Sequence, residues 1–321
     1  MVGKSTVPVG TAAEIAEKTA PTGALLVWNP EFLREGFAVQ DTISPDRIVY
    51  GLPKDEEQAD SAKSVLDDVY KQLIAAEIPR LTTDYASAEL VKVAANSFLA
   101  TKISFINAMA ELCEATGADV TQLAEAIGYD DRIGKKFLRA GIGFGGGCLP
   151  KDIRAFVARA GELGVDQALT FLREVDSIND RRREHAIGLA RVAVGGTFTG
   201  KRVAVLGAAF KPDSDDMRNS PALDIANSIA GEGATVTVTD PAAGPVLAQR
   251  RPDMNVAEDA YAAAEGADVV LLLTEWKQFK ELDPARLKDA VRNPWIIDGR
   301  NALAPTTWRG AGWTYNGIGR P

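Results

Sequence analysis

The sequence predicts an α/β protein in three parts: a partial α/β domain, a central all-helical domain built on one long helix, and a doubly wound parallel sheet. Three observations carry this prediction. Near the start, "ALLVWNP" and "DRIVYGL" read as strands among helices. From Asp84 to about Gly117 one helical pattern runs without an internal glycine or proline. Near the end, the apolar, β-branched runs "RVAVLG", "TVTVTD", "ADVVLLLT" and "PWIID" alternate with helical segments, the pattern of a parallel sheet covered on both faces.

In order, "VGKSTVPVG" reads as the tail of a strand and the loop after it. "AAEIAEKTA" reads as a helix, "DEEQADSAKSVLDDVYKQLI" as another, and "IPRLT" as a short strand. "GKST" lacks the glycine five positions earlier that a phosphate loop requires. The expectation is therefore a domain whose first part is absent. The long pattern 84–117 is apolar on more than one face, which predicts burial against another domain or subunit. More helices follow to about Val194, and "GGTFTGK" is a linker. The predicted domains are residues 1–83, 84–195 and 196–321.

Composition excludes several classes. The formal net charge of −8 argues against a nucleic-acid or anionic-membrane surface. No apolar run approaches the roughly 18 residues of a membrane-spanning helix, and the start lacks the apolar segment of a signal peptide. The expected compartment is the cytoplasm. With two cysteines and one histidine, a disulfide framework, a histidine-rich metal site and Ser-His-Asp catalysis are not expected, and no metal is assigned. His185 lies in a polar helix start and reads as solvated. Cys113 lies among apolar residues at helical spacing and reads as a buried small hydrophobe.

Cys148 differs. In "GIGFGGGCLPKD" it precedes Pro150, and proline is favoured in the first turn of a helix. The thiol is thereby placed before a helix N-terminus, where N–H groups and the dipole favour an anion, with Lys151 adding positive charge. Those conditions make a nucleophile; a small residue in a tight turn is the plainer alternative. Gly141, Gly143 and Gly146 match G-x-G-x-x-G by spacing, but a basic helical segment precedes them, not a strand, so a dinucleotide loop is rejected. The glycines are expected to admit a ligand close to the backbone, with Arg132, Lys135, Lys136 and Arg139 supplying charge for phosphate. Asp240 ends the second strand of the last region, where an acid meets a ribose or, equally, caps a turn before Pro241.

Taken in order, "GKSTVPVGT", "NPEFLREG", "AELVKVAANSFLATKISFINAMAELCE", "RIGKKFL", "GFGGGCLPKD", "GAAFKPDSDDMRNSPA" and "IIDGRN" resemble the motifs of the UDP-glucose/GDP-mannose dehydrogenase family. The resemblance spans the chain, and "NPEFLREG" with "AVQD" and "PDRIVYG" looks most like the UDP-glucose branch. Gly147 departs from the serine usual before the cysteine. The family's opening Rossmann unit with G-x-G-x-x-G is not found, so the resemblance implies a partial Rossmann-type N-terminal domain lacking most of the NAD-binding fold, and a chain of doubtful activity by itself.

The resemblance implies NAD as cofactor, UDP-glucose as substrate, a cytosolic homodimer or higher homo-oligomer built on the long helix, and a C-terminal UDP-sugar-binding domain. It implies oxidation of the sugar C6 alcohol to a carboxylate in two steps, with Cys148 as covalent nucleophile. Lys92 and Asn96 would stabilise the oxyanion; four apart, they share a helix face. Asp152 and Thr6 would hold a water, and Glu31 would be the acid/base for thioester hydrolysis. Phe32, Leu33, Arg34 and Glu35 would line the sugar and uridine site together with Lys92 and Asn96. Arg132 would reach across a dimer. Phe137, Leu138, Arg139, Ile142, Gly143, Phe144 and Gly145 would hold the nucleotide, and Phe210, Lys211 and Arg300 would close over it. Ser5, Thr6, Val7, Glu35 and Arg218 would contact NAD. Two alternatives stand beside this: a dehydrogenase for GDP-mannose or a UDP-N-acetylhexosamine, and a nucleotide-sugar-binding module without catalysis.

Overall fold

Residues 1–321 are described by a computed structural model. The chain runs β1 (Val2–Gly3), α1 (Thr11–Thr19), β2 (Val27–Trp28), α2 (Ala38–Ile43), β3 (Ile48–Leu52), α3 (Glu56–Val69), α4 (Lys71–Ala75), β4 (Arg80–Asp84), α5 (Tyr85–Thr116), α6 (Val120–Gly128), α7 (Leu149–Glu162) and α8 (Thr170–Ala193). It continues through β5 (Arg202–Leu206), α9 (Pro221–Gly231), β6 (Thr235–Thr239), α10 (Gly244–Arg250), β7 (Asn255–Val256), α11 (Ala260–Ala264), β8 (Val269–Leu272), α12 (Lys277–Lys280), α13 (Pro284–Ala290), β9 (Trp295–Asp298), α14 (Pro305–Gly310) and β10 (Thr314–Gly317). It divides into two compact units, residues 1–98 with 151–170, and residues 99–150 with 171–321, so the helical stretch 84–195 is shared between them.

The first unit holds a four-stranded sheet, β1-β2-β3-β4. β1 and β2 are parallel, β2 and β3 antiparallel, β3 and β4 parallel. Strand alternation sends Ile48, Tyr50 and Leu52 to one face, against Ala62 and Leu66 of α3, and Val49 to the other, with Trp28, Ala12 and Ala88. Gly51 is required where β3 meets α5: a Cβ there would stand 2.6 Å from that of Ala88. The single helix expected over 55–74 breaks at Tyr70, whose hydroxyl donates to Asn29 Oδ1 (2.6 Å).

α5 follows the sequence expectation closely. Asp84 caps it by accepting from Ser87 N–H (2.8 Å), bonds that also lower the Asp84 carboxyl from its ordinary value, and Gly117 ends it at φ +75°. Leu90, Phe98, Phe105 and Leu112 are exposed along it.

The second unit is built on a six-stranded, all-parallel sheet in the order β10-β9-β8-β5-β6-β7. Its strands are buried on both faces, which is why they read as continuous apolar runs and not as alternating ones. β10 was not legible in the sequence, because "TYNG" is half polar and ends in glycine. Cys113 is buried, as expected, and burial pushes its thiol upward.

His185 keeps a third of its side chain in solvent but is also paired. Its Nε2 lies 3.1 Å from Glu114 Oε1, in a cluster where Arg182, 1 % exposed, reaches Glu114 at 3.0 Å and Glu111 at 3.4 Å. Gly319 N–H donates to the same Glu114 oxygen (2.8 Å), tying the chain's end to α5. Burial alone would raise the Glu114 carboxyl, but the hydrogen bond from His185 and the charges of Arg182 and His185 outweigh it and bring it down to about 2. A depressed carboxylate stabilises the fold above its unfolded value and loses that contribution as pH falls through its folded one. Glu114→Gln should therefore lower Tm at neutral pH, and the gap to wild type should narrow below about pH 4.5 and close toward about 2. Thermal unfolding across that range checks it.

Candidate active site

In the first unit, helical spacing builds two polar faces. On α5, Glu89, Lys92, Val93 and Asn96 recur at three- and four-residue steps and share one face, with Glu89 2 %, Lys92 8 % and Asn96 9 % exposed. On α7, Asp152, Phe156 and Arg159 do the same, and Asp152 is 2 % exposed. Lys92 and Asn96 thus both face inward. Asn96 Nδ2 donates to Asp152 Oδ2 at 2.6 Å, a bond between residues 56 apart in sequence. Lys151 Nζ lies 3.5 Å from the other Asp152 oxygen. Lys92 Nζ lies 3.8 Å from Glu31 Oε1 and 5.4 Å from the centre of the Phe32 ring. Glu31 Oε2 accepts from Leu33 N–H (2.6 Å), which fixes the carboxylate toward the lysine.

Thr6 and Val7, from the loop after β1, line a cavity of about 190 Å³ with Val93, Asp152, Phe156 and Arg159. Five of the expected catalytic residues, Thr6, Glu31, Lys92, Asn96 and Asp152, therefore fall in this unit as a hydrogen-bonded pair, an ion pair and a cavity wall. Leu33, Arg34, Glu35 and Ser5 are exposed and do not line the cavity. The Arg34 guanidinium is forked onto Asp41 (2.6–3.2 Å). Glu89 and Arg159 went unnoticed in the sequence, although Glu89 sits one turn before Lys92.

In the second unit, Cys148 is a free, exposed thiol directly before Leu149, the first residue of α7, with Pro150 in the first turn. The loop leading to it is laced to the protein. Gly141 N–H donates to Asn107 Oδ1 (2.9 Å), Phe144 N–H to Asn179 Oδ1 (2.7 Å), and Gly146 N–H to the Arg218 carbonyl (3.0 Å). The glycines serve this packing. A Cβ at Gly145 would collide with the Asn219 carbonyl, one at Gly146 would stand 2.9 Å from the Phe210 ring, and one at Gly147 would stand 2.7 Å from the Arg218 guanidinium. Close approach is thus what the glycines permit, and among the groups that approach are the chain's own side chains.

Arg300 donates to the carbonyls of Gly143 and Leu273 (both 2.8 Å), holding Ile142–Phe144 from below. Arg300, Leu138 and Arg139 line a cavity of about 440 Å³ together with Lys135 and Lys280. Lys211 Nζ lies 5.4 Å from the centre of the Phe210 ring, and Arg218 forks onto Asp216 (2.7–3.0 Å). Phe137 is exposed at φ +66°. The Arg132 side chain is 90 % exposed, and its guanidinium is paired with Asp130. Asp240 is a turn cap and not a ribose ligand. It accepts from the N–H groups of Ala208, Ala209, Ala242 and Ala243 and from Trp276 Nε1, which occupies both its oxygens.

Comparison with known proteins places this α/β chain, with its helix-start thiol, in a family of oxidoreductases. The NAD binding domain of the UDP-glucose/GDP-mannose dehydrogenase family matches residues 1–74, the central domain 86–181 and the UDP binding domain 204–305. UDP-glucose 6-dehydrogenase of Rhizobium meliloti is 41 % identical over 325 residues, covering all of this chain and 73 % of that protein. The TuaD enzyme of Bacillus subtilis, also a UDP-glucose 6-dehydrogenase, is 41 % identical over 327 residues, covering all of this chain and 68 % of its own length. The structure of a UDP-glucose dehydrogenase from Pyrobaculum islandicum superposes with a TM-score of 0.87 at 37 % identity, covering 100 % of this chain and 70 % of that one. The chain belongs to the UDP-glucose/GDP-mannose dehydrogenase family, an oxidoreductase family acting on nucleotide sugars.

The expectation that most of the NAD-binding domain is lacking is not supported, since the family's NAD binding domain matches residues 1–74. NAD is the cofactor that this match indicates. The residues present fit it in part. Thr6 and Val7 offer a cavity wall, while the α1 N-terminus is taken up by the Glu89 carboxylate. No helix of the structure is long and apolar enough to cross a membrane.

The packing account of the loop predicts a contrast. Gly146 (φ +85°) and Gly164 (φ +74°) both carry left-handed backbone, but only Gly146 has a neighbour where a Cβ would go. Gly164→Ala should cost about 1 kcal/mol, and Gly146→Ala should cost roughly 1–3 kcal/mol more through the displaced Phe210 ring. Urea unfolding of the two variants measures the difference.

Proposed function

We propose that the protein oxidises the C6 alcohol of UDP-glucose to the carboxylate of UDP-glucuronate in two steps, with Cys148 as the covalent nucleophile. The carrying observation is the free, exposed thiol at the start of α7, followed one turn later by the buried Asp152 that holds Asn96. The relatives named above as UDP-glucose 6-dehydrogenases favour glucose over mannose or N-acetylhexosamine. In this reading residues 1–83 bind cofactor, 84–195 carry the cysteine and the dimer contact, and 196–321 bind the UDP-sugar.

When bound, NAD would supply the hydride acceptor for both oxidations, with Ser5, Thr6, Val7, Glu35 and Arg218 as the residues that would hold it, and in each oxidation the hydroxyl proton leaves to solvent. The chain's own groups do the rest. The Lys92 ammonium and the second N–H of the Asn96 amide, the first being committed to Asp152, face the oxygen on C6 and stabilise its negative charge. After the first oxidation the Cys148 sulfur bonds to the aldehyde carbon and the thiol proton passes to the oxygen, giving a thiohemiacetal. After the second, that carbon is a thioester. Thr6 and Asp152 hold a water, Glu31 takes its proton, the water oxygen bonds to the acyl carbon, the carbon–sulfur bond breaks, and the sulfur regains a proton. Phe32, Leu33 and Arg34 with Phe137, Leu138, Arg139, the Ile142–Gly145 stretch, Phe210, Lys211 and Arg300 bind sugar and nucleotide.

Cys148→Ala should abolish carboxylate formation while UDP-glucose still raises Tm, and Cys113→Ala should leave turnover intact at a core cost of at most a few kcal/mol. NADH formation with UDP-glucose and a thermal shift read both. Full turnover by Cys148→Ala removes the assignment, whereas binding without turnover by the wild type selects a binding module instead.

We infer further that two chains pair through α5. Leu90, Phe98, Phe105 and Leu112 are exposed at steps of eight, seven and seven residues, which is one stripe along the helix. A two-fold axis would bury it and bring the exposed Arg132 to the nucleotide of the partner. Phe105→Glu should shift sedimentation toward monomer and weaken UDP-glucose affinity together. Unchanged mass and affinity would show the stripe to be unused.

A further inference from the structure

The Thr6–Val7 loop is held from both sides. Glu89, on the same α5 face as Lys92 and Asn96, spreads its carboxylate across the start of α1, accepting from Gly10 N–H (2.8 Å) and Ala12 N–H (2.6 Å). Gly10 takes φ +104° to present its N–H, and the buried charge rests on two N–H groups and the α1 dipole. Arg159, on the same α7 face as Asp152, donates from Nε to the Val9 carbonyl (2.9 Å), while its Nη1 is braced on Glu162 (2.7 Å). Each helix that bears a reacting group thus also bears an anchor for the loop, one or two turns along the same face.

We propose that Glu89 and Arg159 are positioning residues, a two-point clamp that sets the Thr6 loop at a fixed distance from Asp152 and so fixes where the hydrolytic water sits. This rests on the proposed function for the role of that water, but the clamp itself is a property of the loop. Residues near position 9 are tied in this way to helices 79 and 150 residues away in sequence. The step affected is hydrolysis: the water oxygen bonds to the acyl carbon, the carbon–sulfur bond to Cys148 breaks, and the water's protons pass to Glu31 and to the sulfur. If the loop drifts, the oxidations proceed and the thioester waits.

The test is Glu89→Gln in the full chain, which keeps volume but offers one acceptor oxygen where two N–H groups need one each, with Arg159→Met as the second variant. Hydrogen exchange read by mass spectrometry should show amides of residues 6–12 exchanging about ten-fold faster or more, with β3 unchanged. With UDP-glucose and NAD, kcat should fall about 10–100-fold, an initial burst of NADH should persist, and intact mass should reveal acyl-enzyme on Cys148. A lesion that merely lowers the folded fraction produces no such adduct. Unchanged exchange overturns the clamp. Faster exchange with unchanged kcat and no adduct overturns its catalytic role. If the wild type itself makes no NADH from UDP-glucose, the proposed function falls, while the exchange result still decides the clamp.

Discussion

A buried polar group must find a partner, and on α5 this constraint organises the first unit. The helix sends Glu89, Lys92 and Asn96 inward on one face, where each would be costly if left unpaired. Each finds its partner on a different segment: Glu89 at the start of α1, Lys92 at Glu31 after β2, and Asn96 at Asp152 on α7. Three pieces of chain far apart in sequence are thereby drawn to one helix face. The same logic runs further along α5, where Glu114 gathers Arg182, His185 and the chain's last residues.

The second unit solves a different problem. Its thiol must stay reachable while the loop before it stays still. The loop achieves this by having almost no side chains. Five glycines in seven positions let Asn179, Asn219, Phe210 and Arg218 press against the backbone, and Arg300 holds the Gly143 carbonyl. Rigidity comes from close packing and hydrogen bonds to main chain, and Cys148 remains exposed at the end of that loop. A serine at 147, the residue the family resemblance leads one to expect, would meet the Arg218 guanidinium; glycine leaves that room open.

Charge placement follows from these two arrangements. Helix N-termini attract anions, and this chain uses one for its own carboxylate, at α1, and sets a cysteine before another, at α7. Asp240 shows how an acid in the place of a ribose ligand becomes structural: four main-chain N–H groups and the Trp276 indole converge on it, leaving no oxygen for a sugar.

Much was legible without coordinates. The continuous apolar strands of the parallel sheet, the long uninterrupted helix with its capping Asp84, the helix start marked by Pro150 and the shared face of Lys92 and Asn96 are all local patterns, set by backbone period, burial and the proline ring. What stayed hidden was every choice of partner. Sequence placed glycines around Cys148 but could not name the side chains that pack beside them. It offered Asp240 equally as ligand or cap, gave His185 no partner, and passed over Glu89. Each of these was decided by groups tens to hundreds of residues away, because hydrogen bonds and close contacts act over a few ångströms in space. A local pattern fixes which way a side chain faces; only the folded chain supplies what it meets there.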